Sequence, residues 1–203
     1  MVFQSAFRHR NMLEYTEEIR GICALQLYDA QACRALIAEA KQNNAWTEAK
    51  VSARTAHGFN PATRTEARRA SVLAPATESE IKRSFDERME RIVKPLVNRV
   101  WRTSLKQHAE THFVRYAPGH YYTPHSDTGL HRHDRYFTVL CYLNEDFEGG
   151  ATSFPQLNYR VTPRSGKVVI FPSTYLHCAE PVASGEKYVL VSWLTGPPPV
   201  QWI

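Results

Sequence analysis

The feature that most constrains this fold is a series of short β-rich runs in the second half of the chain. From Thr111 onward, eight such runs follow one another within about 85 residues, separated by turn residues such as Gly, Pro and Asn. They read HFVRYAPG, HYYTPHSD, YFTVLCYLN, GGATSFP, YRVTP, GKVVIFP, LHCAEPV and KYVLVSWL. Many short strands at this spacing are typical of a β-sandwich or barrel. We therefore predict such a core for residues 111–195.

The first 110 residues are predicted to form a mainly helical support region for this core. Residues Gly21–Tyr28 have the apolar content of a strand, and Asp29 can cap a helix that runs to about Asn43. A strand is predicted near Trp46–Val51, whereas Arg54–Ala74, rich in Arg and Thr, is expected to be irregular. The helices are expected to pack on one outer face of the sheets, which makes the whole chain an α+β fold.

The longest helix is predicted to follow Thr77, which begins the capping box Thr-Glu-Ser-Glu. After it, apolar residues recur at steps of three or four, the spacing of one helix face: Ile81, Phe85, Met89, Ile92, Leu96 and Val100. Pro95 lies inside this pattern and is expected to kink or divide the helix. We interpret the apolar face as core rather than as a cofactor site.

The composition is that of one globular domain spanning 1–203. A chain of 203 residues with 43% hydrophobic content can bury a substantial core. It contains no apolar run of membrane-spanning length and no visible secretory signal, so we expect a cytoplasmic protein. The four cysteines form no Cys-x-x-Cys pair, which favours reduced, buried thiols over a zinc knuckle or disulfides.

Positive charge is concentrated in one segment of the chain. The formal net charge is +5, and between Lys50 and Lys106 there are 13 Lys and Arg against 6 Asp and Glu. Such a segment is more often a solvated face or a pocket for an anionic substrate than a nucleic-acid surface. Four arginines in it are candidates to hold a substrate carboxylate: Arg54, Arg64, Arg68 and Arg69.

The stretch Thr123–Phe137 contains three histidines and two aspartates, a density typical of a metal site. The pairs His125-x-Asp127 and His131-x-His133 both have the i, i+2 spacing that puts two side chains on one face of a strand. The first pair includes a carboxylate and follows a Tyr-Tyr-Thr-Pro strand, whereas the second lies in a charged loop. His177 is a candidate third ligand, and two histidines with one carboxylate leave metal positions open for chemistry. Zinc bound by the second pair, in a binding module without catalysis, is the alternative.

Three segments taken together resemble a known family. They are RYAPGHYYTPHSD, RYFTVLCYLNEDFEGGATSF and GKVVIFPSTYLHCAEPVASGEKYVLVSW. In this order they resemble the Fe(II)- and 2-oxoglutarate-dependent dioxygenases of the prolyl 4-hydroxylase type, over roughly Thr111–Leu194. The resemblance implies a double-stranded β-helix, or jelly roll, for the core. It also implies three cofactors and co-substrates, namely Fe(II), 2-oxoglutarate and O2, with ascorbate as an auxiliary reductant.

The resemblance also assigns roles to individual residues. It implies His125, Asp127 and His177 as the iron ligands, and Lys187, ten residues after His177, as the cation for the distal carboxylate of 2-oxoglutarate. A buried anion requires a cation and hydrogen-bond donors, so such a lysine has a physical reason. Further co-substrate or pocket positions implied in the same way are Tyr142, Tyr116, Tyr122, Thr138 and Trp193.

The reaction implied by the resemblance is hydroxylation of an unactivated C–H bond. A prolyl residue in a peptide or protein is the first substrate choice, with the segment Gly129–Arg135, which carries His131 and His133, as a mobile arm over it. A free amino acid or other small metabolite is the alternative. A nucleic-acid demethylase ranks third, because that family usually carries arginines after the distal histidine, where this chain has Lys187 and no arginine.

Overall fold

The computed structural model describes residues 14–43, 45–55, 58–62, 64–73, 79–129 and 132–196. These residues form three α-helices and many short strands. The helices are α1 (Ala30–Gln42), α2 (Glu80–Arg88) and α3 (Lys94–Val100), and a π-helical turn, Met89–Val93, joins the last two. None of the described helices has the length and apolar character needed to cross a bilayer.

Eighteen strands are distributed along the described chain. Those before residue 110 are β1 (Thr16–Ile19), β2 (Ile22–Gln26), β3 (Thr47–Glu48), β4 (Val51–Thr55), β5 (Gly58–Ala62), β6 (Arg68–Arg69), β7 (Ser71–Leu73) and β8 (Gln107–His108). Those after it are β9 (His112–Tyr116), β10 (Tyr121–His125), β11 (Arg135–Tyr142), β12 (Glu148–Gly149), β13 (Thr152–Phe154), β14 (Tyr159–Arg160), β15 (Lys167–Pro172), β16 (His177–Ala179), β17 (Val182–Ser184) and β18 (Lys187–Thr195). Each of the eight predicted β-rich runs contains a strand.

Two antiparallel sheets contain most of these strands. The larger has the order β1-β2-β15-β11-β18-β9-β7-β3, with β8 also paired to β18. The smaller has the order β14-β13-β16-β10-β6, and two further pairs, β12-β17 and β4-β5, stand apart. This mostly antiparallel architecture with few helices is consistent with the predicted jelly roll.

Strand β11 shows how the larger sheet separates two cores. Its odd-numbered residues Phe137, Val139 and Cys141 belong to a buried cluster that also contains apolar side chains of all three helices. Its even-numbered residues Leu140 and Tyr142 belong to a second cluster, shared with apolar residues of the smaller sheet. Both faces of this strand are therefore buried, because successive side chains of a strand point to opposite faces.

The predicted helix starts can be compared with the observed caps. The Asp29 side chain accepts a hydrogen bond from the amide of Ala32 at 2.7 Å, as predicted for the cap of α1. The cap of α2 is Ser79, whose hydroxyl accepts from the Lys82 amide. Thr77, the predicted first residue of the capping box, lies outside the described residues.

The helix that follows Ser79 is interrupted shortly before Pro95. At the end of the π turn the amide of Lys94 donates to the carbonyl of Met89, five residues earlier. Proline has no amide hydrogen, so it is tolerated in the first turn of the next helical segment. The expected division of the helix is therefore observed, as a π turn followed by α3.

One prediction for the first half of the chain is wrong. Residues Arg54–Ala74, expected to be irregular, contain strands β5, β6 and β7 and the end of β4. Beside its three helices, the region before residue 110 also contributes strands to both sheets. The physical reason is that these strands are two to five residues long and are stabilised by distant partners, such as β7 by β9, so local periodicity does not reveal them.

Candidate metal centre

The pairing of β10 with β16 brings two candidate ligands together. In this antiparallel pair His125 lies opposite His177, and their ring centroids are 4.3 Å apart. Asp127 follows β10 in a turn, where its amide donates to the carbonyl of Ser173 at 2.9 Å. The strand predicted to carry both His125 and Asp127 thus ends at His125, yet all three side chains converge.

The hydrogen bonds of the two imidazoles fix which nitrogen is free. His125 Nδ1 lies 2.8 Å from the carbonyl of Thr123, and His177 Nδ1 lies 3.0 Å from the carbonyl of Tyr175. A carbonyl only accepts, so Nδ1 carries the proton in both rings and Nε2 keeps its lone pair. Both Nε2 atoms point at the Asp127 carboxylate, at distances of 3.6 Å and 3.5 Å.

The electrostatics of this group call for a cation. Burial lowers the pKa of His177 to about 4, so this ring is neutral near pH 7. Burial alone would raise the pKa of Asp127, but the adjacent His177 and His125 hold it well below its usual range. Two nitrogen lone pairs and a carboxylate therefore face one another, and one ligand atom from each lies within 4.8 Å of the others. Such a set fits a divalent metal ion, with positions left for other ligands.

Thr138 lines the cavity and also contacts a candidate metal ligand. Its hydroxyl donates to Asp127 Oδ2 at 2.8 Å and lies 3.0 Å from the hydroxyl of Ser173. Thr138 and Ser173 are both fully buried. These hydroxyls orient the carboxylate toward the metal position, as residues behind metal ligands commonly do. The role of Ser173 had no signal in the sequence.

Lys187 lies at the inner end of the same cavity. Its side chain is 1% exposed, and Nζ donates to the Gly150 carbonyl at 2.7 Å and to Thr152 Oγ1 at 3.3 Å. Among the described residues it makes no ion pair with a carboxylate, and burial lowers its pKa to about 7. A buried ammonium with only neutral partners is costly unless an anion joins it.

Aromatic side chains surround this ammonium. The rings of Tyr116 and Tyr142 each lie with their centroids 5.3 Å from Lys187 Nζ. The Tyr142 hydroxyl donates to Thr152 Oγ1 at 2.6 Å, and burial raises the pKa of Tyr142. Both tyrosines are thus neutral, since burial also raises the pKa of Tyr116. Both rings lie beside Lys187, the residue that the resemblance implies for the distal carboxylate.

The outer part of the cavity is lined by further sequence-predicted residues. Tyr122 stacks on His125, with ring centroids 3.5 Å apart, and the Arg68 guanidinium lies over the same Tyr122 ring, 4.7 Å from its centroid. Trp193 also lines the cavity, beneath the guanidinium of Arg135 at 3.5 Å. Of the candidate arginines, Arg64 and Arg69 do not line the cavity, and the side chain of Arg54 lies outside the described residues.

The second histidine pair is not part of this centre. His133 is exposed on a turn before β11, and His131 lies outside the described residues. Among the described residues, the group of potential ligands that converges is His125, Asp127 and His177. The cavity also contains residues that the sequence did not single out, Lys50, His112, Arg132 and Thr152.

Comparisons with known proteins were made for both sequence and fold. Residues 111–195 match the family model of the 2OG-Fe(II) oxygenase superfamily. A protein named putative prolyl 4-hydroxylase, from Acanthamoeba polyphaga mimivirus, is 31% identical over 127 residues, covering 50% of this chain and 52% of the relative. A PKHD-type hydroxylase from Crocosphaera subtropica is 35% identical over 92 residues, covering 40% of each protein. The chain thus spans about half or less of the length of these curated relatives.

Solved structures share the fold over most of the chain. A prolyl-4-hydroxylase from Pseudomonas putida superposes with a TM-score of 0.68 at 24% identity, covering 88% of this chain and 94% of that one. A viral collagen prolyl hydroxylase from Paramecium bursaria Chlorella virus-1, solved as a 2OG complex, gives 0.63 at 20% identity, covering 88% and 97%. The family match and the converging ligands concern the same segment. Residues 111–195 of this chain therefore resemble a 2OG-Fe(II) oxygenase domain and contain the three converging ligands.

Proposed function

We propose that this protein is an Fe(II)- and 2-oxoglutarate-dependent hydroxylase that acts on a prolyl residue in a peptide or protein. The observation that carries the proposal is the buried ammonium of Lys187, which shares one cavity with the metal ligands. A structural zinc site has no need of a second, isolated cation in the same cavity, whereas a dicarboxylate co-substrate does.

Different residues of this chain would bind the metal and the co-substrate. His125, Asp127 and His177 would hold Fe(II), and Lys187 with Tyr142 or Tyr116 would hold the distal carboxylate of 2-oxoglutarate. Bound Fe(II) with 2-oxoglutarate and O2 supplies the oxidation, in which the keto acid becomes succinate and CO2 and a C–H bond becomes an alcohol.

The protein groups around the metal position mainly orient and shield. Thr138 and Ser173 would hold Asp127 in the orientation that the metal requires. The Thr123 and Tyr175 carbonyls keep the lone pairs of both imidazoles available. The apolar wall of Leu140, Val189 and Val191 would limit the access of water to the reacting carbon.

The choice of a prolyl residue is supported by the names of relatives. One curated relative is named a putative prolyl 4-hydroxylase, and a structure of similar fold from Trichoplax adhaerens contains a hypoxia inducible factor peptide fragment. A free amino acid or another small metabolite is the second candidate. It is favoured by the cation Arg68 at the outer end of the cavity, where a small acid can be held.

Two further features belong to the same proposal. The helices would support the outer face of the larger sheet, since apolar residues of all three share a buried cluster with it. We also propose a cytoplasmic location, supported by four cysteines that are free thiols in the structure, because disulfides are rare in that compartment.

The test is 2-oxoglutarate turnover with Fe(II) under air, measured as succinate, combined with mass spectrometry for a product one oxygen atom heavier. His125→Ala and Lys187→Met are expected to lose turnover, whereas His133→Ala, a change of an exposed histidine, is expected to retain it. Prolyl peptides and a pool of amino acids serve as substrates in parallel. Metal-loaded wild-type protein that forms no succinate with either set would overturn the proposal.

A further inference from the structure

We infer that the substrate carries a carboxylate close to the carbon that is oxidised, and that Arg68 binds it at the outer end of the cavity. This inference rests on the proposed function and narrows its substrate class. It concerns a different part of the cavity from the metal ligands and Lys187.

The charges that line the cavity are the first reason. Asp127 is the acidic side chain among the described lining residues, whereas Lys187, Arg68, Lys50 and Arg132 are cationic. A divalent metal and the Lys187 ammonium are together balanced by Asp127 and a dicarboxylate. Of the three outer cations, Arg68 is half-buried and Lys50 and Arg132 are exposed, and none of them forms an ion pair among the described residues. Unbalanced positive charge along a cavity favours an anionic ligand.

The position of Arg68 is the second reason. It lies on β6, which pairs with β10, so that Arg68 is opposite Tyr122. Tyr122 contacts the Arg68 guanidinium on its ring and also stacks on His125, a metal ligand. A group bound to Arg68 is therefore held within reach of the reacting centre.

An unused hydrogen-bond donor is the third reason. Arg68 Nε is buried without a hydrogen-bond partner, and Arg68 makes no ion pair with an acidic residue in the described part of the chain. Buried donors normally have partners, so this one, on the cavity wall, indicates a missing acceptor.

A carboxylate fits this guanidinium better than a neutral amide does. The guanidinium is planar, permanently charged and able to form two parallel hydrogen bonds with a carboxylate. Two sources offer this chemistry: the α-carboxylate of a free amino acid and an acidic side chain next to a proline in a peptide. Each has a neutral amide analogue of nearly the same shape.

The test measures binding of these matched probes to protein loaded with Mn(II) and 2-oxoglutarate in the absence of O2. The pairs are L-proline with L-prolinamide, and acetyl-Pro-Asp-amide with acetyl-Pro-Asn-amide, titrated by calorimetry. The variant is Arg68→Gln and the matched control is Arg69→Gln, the adjacent arginine of β6, which is exposed and does not line the cavity.

One carboxylate probe is expected to bind wild-type protein roughly tenfold more tightly than its neutral amide analogue, since a charge-assisted pair contributes about that factor. Arg68→Gln should reduce this preference to about twofold or less, and Arg69→Gln should keep it. Preference within the proline pair identifies a free amino acid as the source, and preference within the peptide pair identifies an acidic peptide.

Three results would overturn the inference. They are equal affinity of wild-type protein for the carboxylate and its amide analogue in both pairs, no measurable binding of any probe at millimolar concentration, and an equal loss of the carboxylate preference in Arg69→Gln. The same titrations report 2-oxoglutarate binding before any probe is added. Intact 2-oxoglutarate binding that Lys187→Met weakens, with no preference for a carboxylate, would leave the proposed function standing while the substrate inference fails.

Discussion

Replacement of Lys187 by methionine is expected to change stability and co-substrate binding in opposite directions. The ammonium is 1% exposed and is bonded to neutral oxygens of Gly150 and Thr152. Burial lowers its pKa from 10.5 to about 7. At about 1.4 kcal/mol per unit, the charged form is disfavoured in the folded protein by roughly 4 to 5 kcal/mol.

The sign of the stability effect follows from this shift. Because the folded pKa of Lys187 lies below the unfolded one, its cost is absent at high pH, grows as pH falls from 10.5 to about 7, and is constant below that. Methionine removes this cost but leaves the Gly150 carbonyl without its donor, a loss of about 1 to 2 kcal/mol. Without ligands at pH 7, Lys187→Met protein should therefore be about 2 to 3 kcal/mol more stable, or roughly 5 to 10 °C in melting temperature.

The effect on 2-oxoglutarate is opposite. A charge-assisted hydrogen bond contributes about 1.5 to 3 kcal/mol, so the variant should bind the co-substrate about 10- to 100-fold more weakly. In wild-type protein, binding should take up a proton near pH 7 and weaken as pH rises above about 7, since Lys187 must be charged to pair with a carboxylate. Calorimetry with Mn(II), without O2, in buffers of different ionisation enthalpy measures both effects.

The control for this experiment is Lys41→Met, which removes a lysine whose side chain is 57% exposed. It should leave co-substrate affinity and proton uptake unchanged. Lys187→Met protein that melts below wild type and binds 2-oxoglutarate with unchanged affinity would refute the reasoning, because neither a buried, uncompensated charge nor an anion site would then exist at this position.

Three other predictions concern the metal centre and the fold. Thr138→Val should lower metal affinity about 10- to 100-fold by releasing Asp127. Ser192→Ala, which removes a buried hydroxyl bonded to the Ala109 carbonyl just after β8, should not. Mn(II) titration followed by electron paramagnetic resonance decides this, and equal effects would contradict an orienting role. In the same titration His125→Ala should abolish tight binding and His133→Ala should not, and the reverse result would assign the metal to the second histidine pair. Gly166→Ala should destabilise the protein by about 2 to 5 kcal/mol in urea unfolding, because the residue has φ +80° and a Cβ would lie 1.9 Å from the Tyr28 carbonyl; a change below about 1 kcal/mol would show that the turn relaxes.

Part of the candidate site could be predicted from local sequence. His125-x-Asp127 after the Tyr-Tyr-Thr-Pro run indicates a ligand pair, because one spacer residue can place two side chains on one side of the chain. The third ligand required more, since His177 is far along the chain and meets His125 only through the β10–β16 register. The resemblance supplied that partner; spacing alone left two histidine pairs open.

Other features could not be read from local sequence because they depend on distant strand pairing. Arg68 reaches the cavity because the two-residue strand β6 pairs with β10, whereas its neighbour Arg69 is exposed. Thr138 contacts Asp127 because the turn after β10 hydrogen-bonds to Ser173. In both cases the backbone partner lies tens of residues away, beyond the reach of periodicity arguments.

The two proposed anchor points for 2-oxoglutarate belong to different sheets. His125 and His177 lie on β10 and β16 of the smaller sheet, and Lys187 begins β18 of the larger one. Facing sheets keep a nearly fixed spacing of about 10 Å, so the distance between them selects the length of the diacid that can bind. A keto diacid one carbon shorter would be too short to reach from the metal position to Lys187. One that is one carbon longer would have to bend in order to fit between them. Bound 2-oxoglutarate would therefore link the two sheets.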